Sequence, residues 1–74
     1  MTIGEILKEK RTQRGLSLRK LSEEIGIHFM TLSKYERDAI NPSIYMMWDL
    51  ADYYNCSIDE LCGRKEGSYG KEEN

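Results

Sequence analysis

The chain has 74 residues, two cysteines, one histidine and a formal net charge of −2. That length allows one small domain with a modest core, for which self-association is an expected support. Two cysteines are too few for a disulfide scaffold, and a span of about eighteen apolar residues, the minimum for a membrane helix, is missing.

Charge is unevenly spread. Residues 1–37 carry eight bases against five acids, +3, and residues 38–74 carry three bases against eight acids, −5. A bipolar chain of this kind can turn its basic half to phosphates, although a solvated mixed surface gives the same count. The N-terminus shows no basic stretch followed by an apolar core, so no signal peptide is read and a cytoplasmic location is expected.

Thr2 and Glu5 have the spacing of a capping box, and Ile3, Ile6 and Leu7 form the apolar stripe of a first helix. Arg11 lies four residues past Leu7 on that stripe, where a cation calls for an acidic partner. Gly15 supplies the stop. Ser17 caps a second helix over 18–25, with Leu18, Leu21 and Ile25 inward and Gly26 ending it. His28 stands where a cap belongs, before a third helix over about 29–37. Leu32 and Tyr35 share one face of it; Phe29, Met30, Ser33 and Lys34 fall on the other. Two short helices joined by a tight glycine-containing turn make a helix-turn-helix, whose second helix fits a DNA major groove.

Residues 38–42 read as a loop, because Pro42 restricts Asn41. Ser43 caps a fourth helix to about Tyr54, with Ile44, Met47, Leu50, Ala51 and Tyr54 on one face. Tyr45, Met46, Trp48 and Tyr53 cannot all join that face, and this surplus of apolar surface points to a partner or a second copy. Asn55 ends the helix. Ser57 and Glu60 have the spacing of a second capping box, opening a fifth helix that buries Ile58 and Leu61 and stops at Gly63. The polar stretch 64–74 is expected to be disordered. The organisation is therefore one all-α domain over 1–63, a compact five-helix bundle containing a helix-turn-helix, and a tail.

These residues carry a family likeness. Gly15-Leu16-Ser17, Leu21, Gly26, Leu32-Ser33, Tyr35-Glu36, Asn41-Pro42-Ser43, Leu50-Ala51 and Ser57-Ile58-Asp59-Glu60-Leu61 resemble the phage-repressor (Cro- and Xre-like) helix-turn-helix family over residues 3–62. The resemblance implies the lambda-repressor-like DNA-binding fold. It implies a buried structural ion pair between Arg11 and Glu36, tying the first helix to the end of the recognition helix. It makes Phe29, Met30, Ser33 and Lys34 base-facing, and Ser17, Leu18, Arg19, Asn41 and Ser43 phosphate-facing. The chain departs from the family at Leu18, often glutamine, and at Asp38, often glycine. Arg19 is expected to substitute for the first, and the second is expected to set an acid beside the DNA backbone.

The expected function is that of a sequence-specific transcriptional regulator, a repressor, binding double-stranded DNA as a homodimer on a palindromic operator. Tyr45, Met46, Trp48 and Tyr53 are the dimer candidates. Phe29 and Met30 offer only apolar contact, to thymine methyl groups, so a T-containing half-site is expected. The alternative is a protein-interaction module of the same fold, anti-repressor or antitoxin-like, with little DNA binding and a regulatory protein as partner. An enzyme is not expected: the chain offers no nucleophile–base pair, and Cys56, Cys62 and His28 do not have zinc-site spacing. No catalytic residue, metal or cofactor is expected either.

Overall fold

Helix α1 (Ile3–Gln13) starts at Thr2, whose hydroxyl accepts from the Glu5 N–H while the Glu5 carboxylate accepts from the Thr2 N–H. The capping box is complete, and two orphan donors of the first turn are satisfied. The computed structural model describes residues 1–63; the tail expected over 64–74 lies outside the described residues. Four more helices follow: α2 (Leu18–Ile25), α3 (Phe29–Glu36), α4 (Ile44–Tyr54) and α5 (Ile58–Cys62). Ser17, Ser43 and Ser57 cap α2, α4 and α5 by accepting from the backbone N–H three residues on. The imidazole Nδ1 of His28 accepts from the Met30 N–H and caps α3. Each cap contributes about 1 kcal/mol, a large share for helices this short.

The α2–α3 turn depends on Gly26, at φ +78°, where a side chain would strain the backbone. Ile27 then turns into the core, so α3 starts at once and crosses α2. Leu21 of α2, Leu50 of α4 and Leu61 of α5 are the most deeply buried large side chains. Ile6, Leu7, Leu32, Tyr35, Met47 and Tyr54 pack around them. Burying a leucine side chain is worth roughly 1.5–3 kcal/mol, so this centre supplies much of the driving force.

Three expectations change. Ile44 is not on the buried face of α4 but 52% exposed, while Met46 is half-buried against the core. Ile44 is the first residue of the helix, and side chains tilt back toward the N-terminus, beyond the end of the core. The capping box at α5 is only half formed: Ser57 accepts from the Glu60 N–H, but the Glu60 carboxylate is taken by the Lys10 ammonium of α1. The third element of revision is Asp38, described below. Cys56 and Cys62 are free thiols, and burial pushes the Cys56 thiol up.

Candidate nucleic-acid interface

Helix α3 is set from behind. The Arg11 guanidinium meets the Glu36 carboxylate in a two-pronged pair, Nε to Oε2 at 2.8 Å and Nη2 to Oε1 at 2.9 Å. Its third nitrogen, Nη1, donates to the Leu16 carbonyl at 2.7 Å, so one side chain holds α1, the α1–α2 connection and the end of α3. The two side chains are only 12% and 8% exposed. The bond to Glu36 raises the guanidinium pKa further, so the charge is permanent.

A second junction joins the same two helices, and Gly4 makes it possible. A Cβ at Gly4 would lie 2.5 Å from the Glu36 carbonyl oxygen and 2.7 Å from that of Tyr35. Only a residue without a side chain lets the start of α1 come this close to the end of α3. The contact sets the positive end of one helix dipole against the negative end of the other. Asp38 completes it. Its backbone is left-handed at φ +60°, and its carboxylate accepts from the Gly4 N–H at 2.9 Å and the Thr2 hydroxyl at 2.7 Å. Asp38 is therefore an exposed but not a free acid: both its carboxylate oxygens are hydrogen-bonded to the start of α1. It is consumed as a cap for α1, from 34 residues away.

The opposite face of α3 is open. Met30 is 56% exposed, Lys34 is exposed, and Ser33 is half-buried and accepts from Arg37 Nε at 3.3 Å. Phe29 is half-buried: its ring stacks on that of His28, centroids 4.7 Å apart, and the Arg19 guanidinium lies 4.3 Å from its centroid. The four residues expected to face bases thus share the outer surface of one helix. Arg19, Lys34 and Arg37 add positive charge there, and none is ion-paired among the described residues. The acids of α2 are engaged elsewhere, Glu23 and Glu24 near Lys20 and Glu24 with the Tyr53 hydroxyl.

The helix-turn-helix family profile matches residues 7–61 of this chain. The chain is similar to the HTH-type transcriptional regulator ImmR of Bacillus subtilis (strain 168), with 37% identity over 68 residues, 92% of this chain and 54% of ImmR. It is also similar to the cryptic phage CTXphi transcriptional repressor RstR of Vibrio cholerae, with 36% identity over 64 residues, 86% of this chain and 57% of RstR. The chain belongs to the Cro- and Xre-like helix-turn-helix family. It spans little more than half the length of these two relatives.

Within this family's frame, the residues expected at phosphates fall at helix starts. Ser17 and Ser43 are the N-caps of α2 and α4, and each hydroxyl keeps its own proton to donate. Asn41 is exposed in the α3–α4 connection, while Arg19 is drawn over Phe29. The dimer candidates separate. Tyr45 and Trp48 stand together, 67% and 51% exposed, with ring centroids 5.8 Å apart and edge to face. Tyr53 is spent inside the chain: its hydroxyl donates to Glu24 at 2.6 Å, and Arg14 lies 5.2 Å over its ring. Met46 is spent on the core. The junction of Gly4 with Asp38 escaped the sequence reading, which singled out Asp38 only as a departure from glycine.

Proposed function

We propose that this chain is the DNA-binding part of a transcriptional regulator, a repressor, that reads the major groove with the open face of α3. One observation carries the reading. The part-buried Arg11–Glu36 pair ties α3 to α1 from behind and leaves Met30 and Lys34 exposed on the opposite face with Phe29 and Ser33 half-buried beside them, in a chain that belongs to the helix-turn-helix family. A helix that reads bases must be rigid and unobstructed on one face. Ser17, Asn41 and Ser43 supply neutral phosphate contacts beside the helix starts, where the backbone N–H groups favour anions. The names of ImmR, a transcriptional regulator, and RstR, a repressor, support the same assignment.

One module of this size buries too little for a specific operator, so the reading includes a twofold dimer on a palindrome with half-site centres about 34–36 Å apart. Tyr45 and Trp48, with Ile44 beside them in the first turns of α4, are the exposed apolar surface that favours such a contact. That patch also favours the second reading, a protein-interaction module with a regulatory partner. Selection from random duplex DNA, followed by anisotropy across a salt series, tests the first. Binding should fall with a log–log slope of roughly −0.9 per phosphate contacted, and the selected sites should be palindromic. No saturable binding at low salt to any selected duplex would refute it and leave the second.

A further inference from the structure

Arg19 was expected at the DNA backbone, yet the fold holds it over a residue of the base-facing surface. It is the second residue of α2; Phe29 is the first of α3. The guanidinium carbon lies 4.3 Å from the centre of the Phe29 ring, well inside cation–π range. His28, stacked on the same ring, caps α3 through Nδ1 and so is itself fixed in place. Arg19 is an exposed residue, and none of its N–H donors is hydrogen-bonded or ion-paired among the described residues.

We propose that Arg19 is a specificity-determining residue that reads a guanine, and that Phe29 and Met30 read a C5 methyl group on a neighbouring pyrimidine. The inference rests on the DNA-binding reading above. A guanidinium held over an aromatic ring by its charge keeps its in-plane N–H donors for other partners, so the contact places the fork without using it. A planar, pre-oriented fork matches the O6/N7 pair of guanine, the commonest specific contact in the major groove. A phosphate can take the same fork; what favours a base is where the group is held, on Phe29, a residue of the surface proposed to face bases. Phe29 cannot hydrogen-bond a base, and Met30 beside it is 56% exposed. Together they provide the apolar surface that suits a thymine methyl. The two chemistries meet at the start of α3, so they act on neighbouring base pairs.

The test uses the duplex selected by the unaltered chain, with single atoms removed from its bases. Replacing the contacted guanine with 7-deazaguanine deletes N7; replacing the neighbouring thymine with deoxyuridine deletes only the methyl. Each should weaken the unaltered chain several-fold or more, a good bidentate base contact being worth roughly 5- to 150-fold. Arg19→Ala should bind more weakly and become indifferent to 7-deazaguanine, and Arg19→Lys should not restore the preference, because an ammonium has no fork. Phe29→Leu, which keeps apolar contact but removes the stack, should lose most of the guanine preference. Arg19→Ala weakening every duplex equally, lowering the salt slope by about 0.9 and staying sensitive to 7-deazaguanine would overturn the proposal and make Arg19 a phosphate contact. A selected site without a guanine would overturn it too. Failure of the unaltered chain to bind any duplex is a separate result, which removes the reading on which the proposal stands.

Discussion

Gly4→Ala is the substitution for which ordinary helix arithmetic and this structure give opposite answers. Gly4 is in the first turn of α1. Replacing a helical glycine with alanine normally stabilises by about 0.5–1 kcal/mol. Here the new Cβ would stand 2.5 Å from the Glu36 carbonyl oxygen, 2.7 Å from the Tyr35 carbonyl oxygen and 2.8 Å from Asp38 Oδ1. Two of these atoms are backbone, so relief requires α1 and α3 to separate rather than a side chain to rotate. Separation strains the Gly4 N–H to Asp38 bond and the Arg11–Glu36 pair together. Overpacking costs roughly 1–3 kcal/mol, and a weakened charged hydrogen bond adds about 1.5 kcal/mol or more. Set against the propensity gain, the net expectation is a loss of about 2–3 kcal/mol, a large part of the stability of a small domain. Urea denaturation followed by circular dichroism at 222 nm, a standard helix wavelength, reads the change as a lower midpoint at constant m-value. An alanine variant as stable as the parent, or more stable, would refute the close-approach argument.

Three further outcomes follow from the same contacts. Glu36→Gln leaves the Arg11 charge largely buried without its counter-charge and should cost about 3 kcal/mol in urea denaturation, whereas the double replacement of Arg11 and Glu36 by apolar residues should recover much of it. Asp38→Asn should lose about 1 kcal/mol by calorimetry, because the amide accepts more weakly than the carboxylate from Gly4 N–H and the Thr2 hydroxyl. The Tyr54 hydroxyl is buried with no hydrogen-bond partner among the described residues, and burial pushes its phenol from 10.0 up to about 12. The folded state therefore holds this proton longer than the unfolded chain: the contribution is intact below pH 10.0 and is lost as pH rises through about 12. Tyr54→Phe should accordingly be neutral or stabilising at neutral pH and should shift the alkaline unfolding midpoint upward.

What could be read from the sequence divides by distance along the chain. Helix starts were legible because a capping side-chain acceptor, a hydroxyl oxygen at Thr2, Ser17, Ser43 and Ser57 and an imidazole nitrogen at His28, bonds a backbone N–H two or three residues away. Arg11 was legible as an anomaly, a cation on an apolar stripe, but its partner is 25 residues away and came only through the family resemblance. Gly4 was not legible, since its reason is the backbone of another helix. Glu60 shows the limit of local rules: the box spacing is right, yet Lys10 of α1 takes the carboxylate, and that bond raises the ammonium pKa. The face of α4 failed by one turn for the same reason, because periodicity says which residues align but not where the core ends. Within the open face of α3, spacing placed Phe29, Met30, Ser33 and Lys34 together, but not Arg19, which arrives from α2.

The two ends of α3 are thus held by different chemistry, and this divides the consequences of mutation. At the C-terminal end, Gly4, Asp38 and the Arg11–Glu36 pair lock α3 to α1 through backbone contact, a carboxylate cap and a part-buried ion pair. Changes there should alter stability and the pose of the whole helix, and under the proposed DNA-binding reading should weaken all duplexes alike. At the N-terminal end, His28, Phe29 and Arg19 are held by stacking and a cap on the outer surface. Stacking at exposed sites contributes on the order of 1 kcal/mol, so loss of the Arg19–Phe29 contact should cost the fold little, whereas loss of the His28 cap should cost about 1 kcal/mol more. A helix fixed from one end can therefore be retuned at the other. If Arg19 reads a base as proposed, the Arg19–Phe29 end is where specificity should change at least cost to the fold.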